Sequence, residues 1–569
     1  MGDQAIEQLV EQVIATQSLN LDVVAGATYS SEGFMAAILA ALELAGADIA
    51  ALQTKEAEVE SEDTNISSQT TDVIVIGGGG AGLAAAVSAH QNGANVILIE
   101  KMPRLGGNTI ISGAAYNSAD PERQALLEMT ENEKETVEGI LAEEQTDPLV
   151  LEWQATLQEE WDAYNEAGET YLFDSPSLHK LQTYNGGDKE GKPELIDQLG
   201  ENSYEAITWL EELGMSYNDY IFTVLGGMWS RAHQPSEPLG TGYVNAYSNY
   251  FEENSDDMQI FLNTEASHII VEDGRVVGVE AVHNGETIEI MANNAVVLAT
   301  GGFSANIEMR DEYNSDWSSL TDIGTTNHPG ATGDGIEMAE EIGVSLIGME
   351  NIQLLPMGDP ETGSLFGNIE QGVQNRIFVN MEGNRFVDEG ERRDVMTHAL
   401  MEQTDSLMWT IVDAHSYPSG DITNHFNESI DSLVEEGRAF KADTLEELAE
   451  LIGVDPANLV ASVEEFNQVV DGEMEDPFGR TLFEHKLDTA PYYAAARMPT
   501  VHHTMGGVEI NEAAQVLNTE GNVIPGLYAA GEITGGIHGA NRLGGNALAD
   551  IIVYGRISGS NAANTEPNE

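Results

Sequence analysis

The residues with the most specific spacing in this chain are Gly77, Gly79 and Gly82, which form G-x-G-x-x-G directly after the apolar run 73–76. The first glycine permits a tight turn, and the second lets a pyrophosphate approach the backbone. The third lets the next helix pack on the strand with its N-terminus facing the phosphates. Glu100 lies 18 residues after Gly82, where a ribose hydroxyl needs an acceptor. This combination predicts a dinucleotide site.

Such a site needs a strand, a helix and a second strand to position it. The segment DVIVIGGGGAGLAAAVSAHQNGANVILIEK, beginning at residue 72, has this pattern. A β-meander is predicted over 275–303, because Asp273-Gly274 and Asn284-Gly285 are hairpin signals beside β-rich runs. Residues 120–215 are acidic and helix-rich. The sequence therefore indicates an α/β fold.

Composition limits the partners. The 569 residues suffice for two or three domains, and 22 Lys and Arg against 97 Asp and Glu give a formal net charge of −75. A field of this sign repels nucleic acid and anionic membranes. The absence of cysteine excludes disulfides, iron–sulfur clusters and c-type haem attachment within the chain. The most apolar stretch, 34–46, is too short to span a membrane.

Longer motifs carry a resemblance to a family. These are LGGNTIISGAAYN (105–117), LATGGF, GATGDG (330–335), VHHTMGG (501–507) and GLYAAGEITGGIHGANRLGGNALADIIVYGRISG (526–559). They resemble the flavocytochrome c and soluble fumarate reductase family, which includes urocanate reductases and related enoate reductases. The resemblance covers about 72–560 and implies a two-dinucleotide-binding-type, Rossmann-like FAD domain interrupted by an α+β clamp domain.

The resemblance implies non-covalent FAD and a set of residues that bind it. The set comprises Gly77, Gly79, Ala81, Gly82, Glu100, Gly107, Asn108, Thr109, Gly113, Asp334, His503, Glu532, Asn546, Ala547 and Leu548. A sodium site is carried over in the same way, with Thr504, Met505, Gly506, Glu532 and Thr534 as its positions.

Reduction of a C=C bond beside a carboxylate needs a hydride donor, an acid and cations that hold the carboxylate. By resemblance, His502 and Arg542 grip the carboxylate, His503 belongs to the same site, and Arg393 delivers the proton. Residue chemistry alone makes Arg393 a substrate clamp, and both roles stay open. Glu370 matches the relay carboxylate, but the family's relay arginine is missing near Gly372.

A second departure concerns the far end of the substrate. Fumarate reductase has a histidine before a proline there, whereas this chain has Leu355 before Pro356 in NIQLLPMG. Leu355 and Met357 are either core residues or the wall of a substrate pocket. If they line the pocket, the far end of the substrate is not a carboxylate.

The segment DVVAGAT, residues 22–28, resembles the flavinylation motif of FMN-binding domains. In that family a flavin transferase joins FMN to the threonine hydroxyl, here Thr28. Only about 20 residues precede the motif, so we expect either a truncated domain or a minimal version of it. The alternative is a loop whose Ser30 or Ser31 caps the following helix. Covalent FMN would receive electrons from an external donor, either a membrane quinol-linked or a flavin-linked electron-transfer protein.

The predicted organisation has six segments: FMN segment 1–54, linker 55–71, FAD domain 72–350, clamp 351–500, FAD domain 501–560 and disordered tail 561–569. We expect an FAD-dependent reductase of an α,β-unsaturated carboxylate resembling urocanate, cinnamate or acrylate. The alternatives are fumarate reductase proper, a non-catalytic flavin carrier and an oxidase running in the opposite direction. No signal peptide is recognised, and the acidity favours an extracytoplasmic location while leaving the cytoplasm open.

Overall fold

The structure is a computed structural model that describes residues 68–567 together with Ile38. The chain divides into two units, Met1–Ser67 and Ser68–Glu569, and residues 68–567 belong to the second. In that range no helix is long and apolar enough to cross a membrane.

The helices alternate with strands along much of the chain. They are α1 (Gly80–Gln91), α2 (Gly107–Ile111), α3 (Pro121–Gln124), α4 (Glu131–Ala142), α5 (Pro148–Ala167), α6 (Pro176–Gly186), α7 (Pro193–Glu212), α8 (Thr241–Glu253), α9 (Ile307–Tyr313), α10 (Asp334–Glu341), α11 (Arg393–Met401), α12 (Ile430–Glu435), α13 (Leu445–Ile452), α14 (Pro456–Val470) and α15 (Asn546–Ala563).

The strands form one large sheet and three smaller ones. They are β1 (Gln69–Ile76), β2 (Val96–Ile99), β3 (Tyr116–Asn117), β4 (Tyr217–Phe222), β5 (Ala232–Pro235), β6 (Met258–Phe261), β7 (Thr264–Glu272), β8 (Arg275–His283), β9 (Glu286–Leu298), β10 (Leu346–Ile347), β11 (Ile352–Gly358), β12 (Ile377–Asn380), β13 (Met408–Val412), β14 (Phe440–Ala442), β15 (Tyr492–Thr504), β16 (Gly507–Glu509), β17 (Gln515–Leu517), β18 (Val523–Ala529) and β19 (Thr534–Gly535).

The large sheet has the order β17-β18-β9-β1-β2-β6. Strands β6, β2, β1, β9 and β18 run parallel, as a dinucleotide-binding fold requires, and the β7–β8 hairpin joins it antiparallel through β9. Strand β2 and the second half of β1, Val73–Ile76, are wholly apolar and buried, as is typical of parallel strands inside an α/β sheet. The carboxyl ends of these strands therefore meet at one edge.

The second sheet connects the clamp segment, residues 351–500, to the flavin part, residues 72–350 and 501–560. Its order is β11-β15-β13-β12, with β14 also paired to β15, and all pairings are antiparallel. Strand β15 pairs with β13 and β14 along its first half and with β11 along its second. The predicted boundary at 500/501 falls inside this strand, so one strand carries both clamp residues and the histidines at its end.

The end of the chain differs from the prediction of a disordered tail at 561–569. Helix α15 continues to Ala563, and the Thr565 hydroxyl bonds the Asn561 carbonyl oxygen at 2.9 Å and the Tyr528 hydroxyl at 2.8 Å. The helix packs along α1, where close approach needs Gly555 and Gly559: a Cβ at Gly559 would lie 2.1 Å from the Ala85 oxygen. Because the face of α15 that packs on α1 is buried, the helix continues beyond residue 560.

Candidate active site

A cleft of about 890 Å³ lies at the carboxyl ends of the parallel strands. Ile76, Ile99, Ala299 and Ala530, at or just after the ends of β1, β2, β9 and β18, line it. Open α/β sheets bind ligands at this edge. Nine of the residues predicted to bind FAD lie in the lining: Gly77, Gly79, Ala81, Glu100, Gly107, Asn108, Thr109, Asp334 and Glu532.

The glycine turn at this cleft has the shape that a dinucleotide needs. Gly77 has φ +108°, and a Cβ there would lie 2.3 Å from the Ala299 oxygen. At Gly82 a Cβ would lie 1.9 Å from the Gly77 oxygen, so this glycine permits the contact between helix and strand. Gly79 faces open space on the cleft side. The residues present therefore fit FAD, whose pyrophosphate would lie beside Gly79 at the start of α1.

Glu100 is positioned by two backbone amides. Its Oε2 accepts from the Gly78 N–H at 2.6 Å and its Oε1 from the Met102 N–H at 2.8 Å. Desolvation raises the pKa of Glu100 above its usual value, while these two hydrogen bonds oppose the shift. The carboxylate is held at the cleft wall, where it can accept from a ribose hydroxyl.

Other predicted cofactor residues lie outside the lining of the cleft. The Asn546 side chain, fully buried, bonds Asn117, His179 and Thr183 at 2.9 Å each. Ala547 and Leu548 lie in the first turn of α15, which no side chain caps. Gly113 lies against the clamp segment, since a Cβ there would be 4.0 Å from Phe426. The FAD roles of these residues stay predictions.

The structure brings Arg393 and Arg542 together on a residue that the sequence analysis missed, Gln353, and the charges of both arginines act on His502. The Gln353 Oε1 accepts from the Arg393 Nη1 and from the Arg542 Nη2, each at 3.2 Å. Gln353 lies opposite His503 in the β11–β15 pairing. The His502 Nδ1 lies 2.8 Å from the Thr326 hydroxyl oxygen, which sets the orientation of the ring. The sequence signal that could have indicated Gln353 is that it is a single polar residue in the otherwise apolar strand β11.

Both guanidiniums are buried with neutral acceptors. The Arg393 Nε donates to the Leu225 carbonyl at 3.0 Å, and the Arg542 Nη1 donates to the Leu543 carbonyl at 3.2 Å. Within residues 68–567, neither of the two arginines forms an ion pair with a carboxylate. The site therefore holds two cations, and the negative charge of a bound carboxylate would balance one of them.

The electrostatics of the site follow from this burial. Desolvation lowers the pKa of Arg393 well below its usual value, repulsion by Arg542 adds to the shift, and the Glu370 charge opposes it. Desolvation likewise lowers the pKa of Arg542 to about 10. Desolvation and the two arginines hold the pKa of His502 well below its usual value, so the ring is neutral at pH 7. A guanidinium with a lowered pKa is a better proton donor than a free one.

Glu370 has an arginine partner that the sequence analysis did not identify. Its carboxylate pairs with the Nε of Arg376, a fully buried residue whose Nη1 also donates to the Glu389 carbonyl at 2.8 Å. The position near Gly372 still lacks the family's arginine, while Arg376 gives Glu370 a guanidinium partner from another position. Arg376 lies six residues after Glu370 instead of at the family spacing, so no sequence signal indicated it.

Leu355 and Met357 belong to an apolar cluster behind Arg393. They are 2% and 1% exposed, and they pack with Leu225, Val373, Phe378, Val387, Met396, Leu400 and Met408. The Leu225 carbonyl, which accepts from Arg393, connects this cluster to the site. A direct contact of Leu355 or Met357 with substrate stays a prediction.

The predicted sodium positions lie close to the cleft. The Glu532 Oε1 accepts from the Thr504 N–H at 3.0 Å and lies 3.3 Å from the Thr504 hydroxyl, while Oε2 is 3.7 Å from the His503 Nδ1. Met505 donates its N–H to the Asn351 carbonyl, and the Thr534 hydroxyl donates to the Gly531 carbonyl. A Cβ at Gly506 would lie 2.1 Å from the Gly348 oxygen. The sodium site stays a prediction, and Thr28 lies outside the described residues.

Comparison with known proteins shows the family to which this chain belongs. Residues 72–153 and 162–548 match the FAD binding domain family. The chain is 40% identical over 579 residues to the NADH:acrylate oxidoreductase of Vibrio harveyi, which covers 99% of this chain and 57% of that protein. It is 34% identical over 568 residues to the urocanate reductase of Eggerthella lenta, covering 99% and 86% of the two chains.

A solved structure is similar over most of the described residues. The open conformation of a flavocytochrome c3 fumarate reductase has a TM-score of 0.64 at 32% identity, over 88% of this chain and 79% of that one. The chain spans little more than half the length of the acrylate-reducing relative. It belongs to the FAD binding domain family and, within it, to the flavocytochrome c and soluble fumarate reductase group.

Proposed function

We propose that this chain reduces the C=C bond of a short α,β-unsaturated monocarboxylate of the acrylate type. The observation that carries the proposal is the pair of buried guanidiniums, Arg393 and Arg542, which the neutral Gln353 joins and which bond to no carboxylate of the described residues 68–567. A substrate carboxylate would supply the missing negative charge. A non-catalytic flavin carrier has no need of such a site.

FAD, bound in the cleft and reduced, supplies the hydride for the β-carbon. Arg542 holds one carboxylate oxygen of the substrate by a charge-assisted hydrogen bond, and His502 holds the other. Their donors also stabilise the enolate charge that develops as the β-carbon gains the hydride. The Arg393 guanidinium gives its proton to the α-carbon.

Arg393 must then recover a proton before the next turnover. Glu370 is the carboxyl whose charge acts on Arg393, and it pairs with Arg376 on its other side. A proton that passes from Glu370 to Arg393 restores the donor, Arg376 passes a proton to Glu370, and Arg376 takes up one proton from the solvent, so that each turnover consumes one solvent proton. The exact spacing used by relatives is not required for this, because the pairing depends on proximity in the fold.

The apolar cluster behind Arg393 sets the substrate class. A second carboxylate placed against Leu355 and Met357 would lose its hydration without gaining a partner, at a cost of several kcal/mol. An uncharged end has no such cost and gains about 25 cal/mol per Å² of buried apolar area. The relative named for acrylate, at 40% identity, agrees with this preference.

The test is anaerobic reoxidation of the photoreduced enzyme by acrylate, methacrylate, crotonate, cinnamate, urocanate and fumarate. We expect the monocarboxylates to reoxidise the flavin at least about 100-fold faster than fumarate, from a difference near 3 kcal/mol. A kcat/KM that is highest for fumarate would show that the cluster does not set specificity. A flavin that none of the six acids reoxidises would refute the enoate reductase function itself.

We further propose that electrons enter through FMN joined covalently to Thr28 by a flavin transferase. The motif at 22–28 supports this assignment, and the names of relatives favour NADH as the ultimate donor. A flavin- or quinol-linked protein would deliver the electrons to this FMN. The extracytoplasmic location stays a prediction that rests on the acidity of the chain.

A further inference from the structure

Asp188 lies in a turn of the flavin part and contacts the residue that precedes the proton donor. Its Oδ1 and Oδ2 accept from the Nη1 and Nη2 of Arg392 at 2.5 and 2.8 Å, a bidentate pair. The Asp188 backbone has φ +57°, a conformation that non-glycine residues rarely adopt. The turn thus presents this carboxylate to the clamp segment.

Arg392 also fixes the first turn of α11. Its Nη2 and Nε donate to the two carboxylate oxygens of Asp394 at 2.7 and 3.1 Å. Arg393 lies between these two residues, at the first position of the helix. A displacement of Arg392 therefore moves the backbone from which the Arg393 side chain extends.

The turn that carries Asp188 is attached to the segment that carries Arg542. The Asn541 Nδ2 donates to the Gly186 carbonyl, and the Ala540 N–H donates to the Gly187 carbonyl, each at 3.0 Å. The approach is close, since a Cβ at Gly187 would lie 2.3 Å from the His538 oxygen. Asp188 therefore lies in a turn that is hydrogen-bonded to the segment carrying Arg542, the residue that we propose binds the substrate carboxylate.

A force that holds Arg393 near Arg542 is needed, because the two guanidiniums repel each other. Both are buried, and the charge of Arg542 acts on Arg393. Gln353 bonds both, but its oxygen is neutral. The ion pair of Arg392 with Asp188, which lies outside the site, is a further contact that opposes this repulsion.

We propose that Asp188 is a positioning residue, which through Arg392 holds the proton donor Arg393 at its working distance from Arg542. This inference rests on the proposed enoate reductase function. The side chain of Asp188 is 49% exposed and that of Arg392 20%, so the pair contributes little to global stability. Its effect is therefore expected in the proton-transfer step and not in the melting temperature.

The experiment compares Asp188→Asn and Asp188→Glu in the FAD-loaded full chain, with acrylate as substrate. We expect Asp188→Asn to lower kcat about 10- to 100-fold, the size of effect that a misplacement near 1 Å produces. KM should change less than about threefold, since Arg542 and His502 still bind the carboxylate. Asp188→Glu should restore most of the rate.

The control is the contact near the other end of α11. There the His398 Nε2 lies 3.1 Å from the Asp316 carboxylate, and the His398 ring stacks on Trp317 at 4.2 Å. This pair is also exposed and also joins α11 to the flavin part. Asp316→Asn should leave kcat within about twofold of the wild type, because it does not adjoin Arg393.

The solvent deuterium isotope effect on flavin reoxidation separates positioning from general weakening. Asp188→Asn should raise it, because transfer from a displaced Arg393 becomes rate-limiting. Wild-type kcat in Asp188→Asn, or an equal loss in Asp316→Asn, would overturn the positioning role while wild-type reoxidation by acrylate upholds the proposed function. Wild-type enzyme that acrylate does not reoxidise overturns both.

Discussion

Replacement of Arg393 by methionine should abolish turnover and at the same time raise the melting temperature. Arg393 is 5% exposed, and its hydrogen-bond acceptors, the Leu225 carbonyl and the Gln353 amide, are neutral. Methionine has a similar length and carries no charge. The variant therefore removes a desolvated cation without leaving a carboxylate unpaired.

The magnitude follows from the geometry at Gln353. The Arg393 Nη1 and the Arg542 Nη2 both lie 3.2 Å from the same oxygen, so these nitrogens are at most twice that distance apart. At an effective dielectric constant near 20, two unit charges at about 6 Å repel by roughly 2.5 kcal/mol. The desolvation of Arg393 adds several kcal/mol, and the loss of two hydrogen bonds from a charged donor offsets about 3–6 kcal/mol. We expect a net stabilisation of about 1–3 kcal/mol.

The assays are differential scanning calorimetry of the FAD-loaded enzyme and steady-state reduction of acrylate. The melting temperature should rise by a few degrees, and kcat should fall by about 10²–10⁴, the usual contribution of a general acid. Reduction of the flavin by dithionite should be unchanged.

Arg480→Met is the matched control, because Arg480 is equally buried but pairs with Glu389 at 2.8 Å. Its loss leaves the buried Glu389 with Arg385 as its ion-pair partner at 2.8 Å but removes one of two compensating cations and the bonds of Arg480 to three backbone carbonyls, and should destabilise the protein by about 3 kcal/mol. The reasoning is refuted if Arg393→Met lowers the melting temperature as Arg480→Met does, or keeps more than a tenth of wild-type kcat.

Three further outcomes are expected. Thr28→Ala should abolish covalent attachment of FMN while FAD binding and dithionite-driven turnover stay intact. Mass spectrometry of protein co-expressed with a flavin transferase measures the attachment. A wild-type protein whose Thr28 stays unmodified under these conditions would contradict the interpretation of the motif. Burial lowers the pKa of His179 to about 3 and, with nearby cations, those of His502 and His503 well below the usual value, so protons bind mainly to the unfolded state. The free energy of unfolding should therefore fall from pH 7 to pH 5.5 by up to about 1.4 kcal/mol per histidine per pH unit, and the melting temperature should fall with it. His179→Gln should reduce this pH dependence relative to the exposed His268→Gln. With a net charge of −75, raising NaCl from about 0.05 to 1 M should raise the melting temperature through screening; a flat or falling profile would contradict self-repulsion.

The flavin cleft was predictable from the sequence because its main parts are contiguous. Gly77, Gly79 and Gly82 act within one turn, and Glu100 ends the adjacent strand, so spacing along the chain stands for distance in space. The structure places Gly77, Gly79 and Glu100 in one cleft. The family resemblance added Asn108 to the predicted flavin site, which the residue type of Asn108 alone did not indicate.

The pairing of the groups that we propose to be catalytic was decided by the tertiary structure. Arg393 and Arg542 come from distant segments, and Gln353 joins them only because β11 pairs with the end of β15. Arg376 pairs with Glu370 at a spacing that no motif contains. Long-range strand pairing and burial are properties of the folded chain, so the family resemblance could name Arg393 and Arg542 but not the groups that hold them.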